Sequence, residues 1–134
     1  MIEYINDVTG IGAVQIEGFF VGWPHPPTPE KHLQILRQSY RAILAIDKTS
    51  GNVVGFITAI SDGVLAAYIP LLEVLPAYQS KGIGSELVGR MLKELEGFYM
   101  TDLICDPSLQ SFYERFGMQP YFGMIRRNFD RQAG

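Results

Sequence analysis

The chain has 134 residues, a formal net charge of −3, and apolar and charged fractions of 47% and 19%, which suit one folded unit with its own core and exclude a disordered tail. Its apolar runs, such as Val64–Ala67 and Ile69–Leu72, fall far short of the roughly 20 residues of a membrane span. No Lys/Arg cluster exceeds Arg126-Arg127, so the basic stripe that binds nucleic acid is missing.

The start has no basic segment followed by an apolar stretch, so no secretion signal is expected. The only cysteine, Cys105, excludes an internal disulfide and cannot alone build a zinc site. A reducing cytoplasm is the expected compartment. Met1–Asn6 alternates weakly and predicts a first strand. Gly10–Val21 carries Ile11, Val14, Ile16, Phe19 and Phe20 in an imperfect helical pattern, weakened by glycines. Pro24 to Pro29, after Trp23, holds four prolines in six residues and reads as a stiff surface loop. Thr28 is a helix cap with Pro29 at the first helical position. His32, Leu33, Ile35 and Leu36 then make a short amphipathic helix, with His25 and His32 expected at the surface.

Ala42–Asp47 and Asn52–Ser61 read as strands, and Lys48-Thr49-Ser50-Gly51 between them is turn chemistry. Leu65–Leu75 predicts a third strand, with Pro70 marking a break in pairing. Gly82–Phe98 is the clearest helix, with Ile83, Leu87, Val88, Met91, Leu92 and Leu95 on one face. Thr101–Cys105 reads as a short buried strand. Asp106 caps a helix that Pro107 opens and Gly117 ends. Met118–Phe129 predicts two short strands around Gly123. The expected architecture is α+β, a mixed, mostly antiparallel sheet flanked by helices, in the order β-α-α-β-β-β-α-β-α-β-β. One domain over residues 1–134 is expected.

Chemistry concentrates in Leu71–Leu87. A helix N-terminus offers about four unpaired N–H groups and a partial positive charge. Gly82 and Gly84 let an anion approach the backbone closely. The nucleotide P-loop spacing is absent, because Lys81 precedes its glycine. The dinucleotide fingerprint would need a third glycine where Leu87 stands.

Gln79-Ser80-Lys81-Gly82-Ile83-Gly84 resembles the Q/R-x-x-G-x-G/A signature of the GNAT superfamily of N-acetyltransferases. Asp106 to Met118, with Phe112-Tyr113-Glu114, is similar to the family's second block, N-x-x-A-x-x-F-Y-E-x-x-G-F. Asp106 and Leu109 depart from its usual Asn and Ala. The resemblance implies acetyl-CoA as co-substrate, no metal, and transfer of the acetyl group to a primary amine by direct attack. It implies that backbone groups of Glu73–Leu75, with Val74 and Leu75 as cofactor-binding residues, pair with the pantetheine arm and that Gln79, Ser80, Lys81, Gly82, Ile83, Gly84 and Ser85 hold the pyrophosphate. Asp106 stands where the family contacts the CoA arm, though an ionised Asp cannot donate as Asn does. A backbone N–H near Val74 or Leu75 is the implied oxyanion donor.

The resemblance places Tyr113 as the acid that protonates the departing sulfur, beside a reading as a packed core tyrosine. Glu73 is the implied base acting through water, beside a reading as a solvated strand residue. Trp23 either lines the acceptor site or pins its loop. Cys105 reads as a small core residue. The expected acceptor is a small-molecule amine. Alternatives are a protein N-terminus or lysine, and an acyl-CoA binding module without turnover. No nucleic-acid or membrane partner is expected. A homodimer is compatible with the family.

Overall fold

The hairpin around Lys48–Gly51 anchors the sheet in the computed structural model, which describes residues 1–134. β2 (Arg41–Asp47) and β3 (Asn52–Ser61) pair antiparallel, from Arg41 opposite Ala59 to Asp47 opposite Asn52. Gly51, at φ +76, closes the turn by donating to the Asp47 carbonyl at 2.7 Å. The pairing steps from Ala45 opposite Gly55 to Ile46 opposite Val53, so Val54 is one residue too many. This bulge sends Val53 and Phe56 to one face of the sheet and Val54 and Ile57 to the other. β1 (Ile2–Ile5) extends the sheet antiparallel on β2.

The strand expected over 65–75 is two short strands. β4 (Ala66–Tyr68) and β5 (Leu72–Val74) both pair antiparallel with β3. Tyr68 faces Ile60 and Leu72 faces Ile57, so Ile69, Pro70 and Leu71 oppose only Thr58 and Ala59. The surplus residue is a bulge at Pro70, which has no N–H to give to a ladder. β6 (Met100–Asp102) then pairs parallel with β4, while β5 pairs only with β3. The sheet therefore opens beside β5.

One core lies on each face. α1 (Pro29–Gln38) and the segment before it cover one face with Ile16, Phe19, Leu33 and Leu36 against Leu44 and Phe56. α2 (Ile83–Glu94) covers the other with Ile83, Leu87, Val88 and Met91 against Ile43, Val54 and Ile57. Thr28 caps α1 as expected, its hydroxyl accepting the Lys31 N–H at 3.2 Å. Gly55 permits the α2 contact, because a Cβ there would lie 3.2 Å from both Ile83 and Leu87.

Four expectations are corrected. Residues 10–21 form no α-helix, only a 3-10 turn at Ala13–Gln15. Three glycines weaken helix formation there, yet Ile11, Ile16, Phe19 and Phe20 still bury. His32 is not at the surface but 1% exposed, because it shares the inward face of α1 with Leu33 and Leu36. Asp106 precedes a 3-10 turn (Pro107–Leu109) and α3 (Gln110–Glu114), but its side chain caps neither. Met118–Phe129 forms neither expected strand. It runs exposed along the molecule with no hydrogen-bonded edge beside it.

Candidate functional site

The opening in the sheet is lined on one side by β5. In an antiparallel pair, successive residues turn their N–H groups alternately toward and away from the partner. Leu75 donates to the Val54 carbonyl at 2.8 Å, and Thr58 donates to the Leu71 carbonyl at 3.1 Å. In this register the Val74 N–H points away from β3, into the opening. Of the two expected oxyanion donors, Leu75 is therefore engaged within the sheet and Val74 is free. The Val74 carbonyl faces the same opening and accepts from Gln79 Nε2 at 3.0 Å.

The chain leaves β5 through the 3-10 turn Pro76–Tyr78 and enters α2 at Gly82. Gly82 caps the helix at φ +84, a left-handed conformation that L side chains rarely adopt. Ser80 shares that region at φ 62. The first helical bond runs from the Glu86 N–H to the Gly82 carbonyl at 3.1 Å. The N–H groups from Ser80 through Ser85 consequently have no backbone or side-chain acceptor. Gly84 lies between β5 and α3, where a Cβ would stand 3.9 Å from Val74 and 4.0 Å from Phe112. This glycine-edged row of donors at a helix N-terminus offers the free N–H groups and partial positive charge that an anion such as a pyrophosphate would take.

Two long-range contacts hold the loop, and sequence reading missed both. The Tyr78 hydroxyl donates to Asp47 at 2.6 Å. That bond first, then the Thr49 N–H, holds the Asp47 carboxyl below its ordinary range. Arg115 stacks 5.0 Å from the Phe112 ring centroid and donates to the Ser85 hydroxyl at 3.1 Å. It adds a second cation near the α2 N-terminus besides Lys81, whose ammonium lies 5.4 Å from the Tyr78 ring centroid. An arginine two residues after Tyr113 in the second block was the available signal.

Beside β5 lies a cavity of about 470 Å³ whose wall includes Phe20, Trp23, Phe56, Pro70, Glu73 and Gln79. Trp23 thus both lines this cavity and packs on Phe20, with ring centroids 4.9 Å apart. The Glu73 carboxylate accepts the N–H groups of Phe20 at 2.8 Å and Val21 at 3.2 Å. Phe20 sits at φ 61, so Glu73 ties down a strained turn. Behind Phe20, His32 is enclosed by Phe19, Phe20 and Phe56, at 5.4, 4.8 and 4.3 Å between ring centroids. Neither of its nitrogens has a hydrogen-bond partner, and burial lowers its pKa to about 4.

Tyr113 lines a different cavity, of about 350 Å³, with Leu103, Cys105, Met118, Tyr121 and Ile125. Burial first, then the charge of Cys105, holds its phenol above the ordinary value. Asp106 is exposed and does not line this cavity. Glu73, Val74, Gln79 and Trp23 thus border one cavity, and Tyr113 borders a second with Cys105.

Comparison with known proteins bears on this arrangement. The family model described as acetyltransferase (GNAT) family matches residues 10–118. A crystal structure from Deinococcus radiodurans R1, assigned to the acetyltransferases, is 47% identical, with a TM-score of 0.95 over 99% of this chain and 92% of that one. A GNAT family acetyltransferase from Streptococcus pneumoniae TIGR4 is 28% identical, with a TM-score of 0.71 over 96% and 98% of the two chains. The uncharacterized N-acetyltransferase ycf52 of Porphyra purpurea is 28% identical over 85% of this chain and 68% of its own length. The ycf52 protein of Gracilaria tenuistipitata var. liui is also 28% identical, over 72% of this chain, which spans only 55% of that relative's length.

Proposed function

The chain belongs to the GNAT acetyltransferase family, and from that premise we propose that it moves the acetyl group of acetyl-CoA to a small primary amine. The observation that carries this reading is the run of unpaired N–H groups from Ser80 to Ser85 beside the open edge of β5. Acetyl-CoA, when bound, supplies the activated thioester. The loop N–H groups, Lys81 and Arg115 hold its pyrophosphate, and the free edge of β5 aligns its arm. The Val74 N–H stabilises the charge that develops on the carbonyl oxygen. An alkylamine with a pKa near 10 arrives protonated, and Glu73 removes that proton through water. Tyr113 protonates the departing sulfur, a role suited to a phenol held in its neutral form.

The acceptor cavity supports a small molecule over an extended peptide. It offers aromatic walls at Phe20, Trp23 and Phe56 and one carboxylate at Glu73. A cation with an apolar body suits that pairing of aromatic faces and negative charge. The lone thiol at Cys105 suits a reducing compartment such as the cytoplasm. No helix is long and apolar enough to cross a membrane.

Calorimetric titration with acetyl-CoA and with ATP tests the cofactor. Saturable binding of acetyl-CoA alone is expected, followed by thiol release across a panel of amines. No binding of acetyl-CoA would overturn the placement of the loop. Binding without thiol release from any amine would leave an acyl-CoA binding module in place of an enzyme.

A further inference from the structure

We propose that the cavity beside β5 takes an arylalkylamine, an aromatic ring joined by a short chain to a primary amine, and that Trp23 is the residue that selects the ring. This rests on the reading of Glu73 and β5 as the acceptor side of the site, and it narrows that reading to one class of amine.

The carboxylate fixes where the amine goes. One Glu73 oxygen accepts the Phe20 N–H at 2.8 Å and the other accepts the Val21 N–H at 3.2 Å. An ionised carboxylate has about four acceptor sites, so each oxygen keeps room for a second donor. An ammonium bound there lies beside the turn that carries Phe20. Whatever is attached to that ammonium extends into a cavity that Phe20 and Trp23 line together.

Trp23 is held in place and yet left partly open. Its N–H donates to the Phe20 carbonyl at 3.1 Å, and its indole packs on the Phe20 ring at 4.9 Å with the planes tilted by 58°. Pro24, Pro26 and Pro27 stiffen the chain that follows, and the His25 N–H donates to Gln132 at 2.8 Å. A loop already ordered in this way costs a ligand little to hold. Phe20 and Phe56 are 4 and 0% exposed, whereas Trp23 keeps 39%. The indole is therefore the aromatic surface that a ligand can cover. An aromatic ring gains more from such a surface than its buried area alone supplies.

The rest of the wall disfavours other amines. It holds no Lys, Arg or His, so a carboxylate or phosphate on the acceptor would lose its water without a counter-charge. Glu73 is its only acid, which leaves the second ammonium of a polyamine unpaired. Besides the indole, its only polar side chains are Glu73 and Gln79, and Gln79 Nε2 already donates to the Val74 carbonyl at 3.0 Å. The hydroxyls of an amino sugar would go without partners.

Trp23 is the only tryptophan of the chain, so its emission reports on this cavity without a label. The full chain is titrated with phenethylamine, with CoA present so that no acetyl group is available. The emission should change saturably, and spermidine and glucosamine at the same concentrations should leave it unchanged. Cyclohexylethylamine separates a preference for aromatic rings from plain apolarity, and should bind about fivefold more weakly than phenethylamine. In thiol-release assays Trp23→Leu should raise the KM for phenethylamine about tenfold and leave that for acetyl-CoA unchanged. Trp23→Phe should restore most of the loss. Equal affinity for the two ring compounds, tighter binding of spermidine or glucosamine, or an unaltered KM in Trp23→Leu would each overturn the proposal. Thiol release from other amines with phenethylamine inert would overturn it too, and would leave acetyl transfer standing. Saturable binding of phenethylamine with no thiol release from any amine would support this cavity assignment and end the enzymatic reading instead.

Discussion

Tyr113 and Glu73 differ in how their surroundings prepare them. Burial and the charge of Cys105 keep the Tyr113 phenol protonated beyond its ordinary range, so it can donate throughout neutral pH. Tyr113→Phe should lower kcat by about a hundredfold while leaving acetyl-CoA affinity nearly unchanged. The alkaline limb of the rate profile, set by loss of the phenol proton above about pH 10, should vanish in that variant. Glu73 is already committed to the N–H groups of Phe20 and Val21. Glu73→Gln keeps an oxygen for Phe20 but no longer accepts a proton. A kcat lowered about a hundredfold at unchanged KM for the amine would mark a base. Retained kcat would assign Glu73 to holding the turn alone. His32 affects stability rather than chemistry. Its folded pKa of about 4 lies below the usual 6.5, so the unfolded chain binds the extra proton between those values. Stability is therefore full above pH 6.5 and declines as pH falls toward 4, by about 3 kcal/mol in all. Urea midpoints measured across that window should fall for the unmodified protein and flatten for His32→Leu.

Among the elements, α2 connects packing to binding. Its N-terminus presents the donor row, and its first turn rests on β3 at Gly55. A Cβ at Gly55 would press Ile83 and Leu87 at 3.2 Å and the Glu73 carbonyl at 3.4 Å. Gly55→Val should cost about 1–3 kcal/mol by overpacking, seen as a lower Tm, and should weaken acetyl-CoA binding by displacing the helix. Gly84→Leu acts differently. A Cβ there meets only ordinary contacts at 3.9 and 4.0 Å, so the fold should persist. The longer side chain would occupy the pyrophosphate path, and calorimetry should show affinity at least tenfold weaker. The two variants separate damage to the scaffold from damage to the site. The bulge at Pro70 makes the same connection on the other side of the opening. It interrupts the pairing along β3 between β4 and β5, and because β6 follows β4 alone the Val74 N–H is left without a strand to receive it.

Over the whole molecule, the sheet carries a core on each face and an opening on one side. The opening arises because β6 joins β4 in parallel while β5 stays with β3. A donor row built from backbone N–H groups places few demands on side chains. The C-terminal segment sets the remaining boundary, since its inner residues wall the Tyr113 cavity and its outer residues meet solvent.

The sequence by itself determined the features whose physics is local. Thr28-Pro29 starts α1, Lys48–Gly51 turns the hairpin, Pro70 breaks the strand, and Gly82 starts α2 from a left-handed cap. Each depends on φ preferences, missing N–H groups or side-chain size within a few residues. Only the tertiary structure decided what depends on partners distant in the chain. The choice of Val74 over Leu75 as free donor follows from pairing with Val54. Glu73 meets Phe20 across 53 positions, and Arg115 meets Ser85 across 30. His32 is buried because three phenylalanines converge on it from two other segments. Residues 118–129 have the composition of strands, but a strand exists only where a second edge accepts its hydrogen bonds, and no N–H from Met118 to Asn128 reaches a backbone carbonyl.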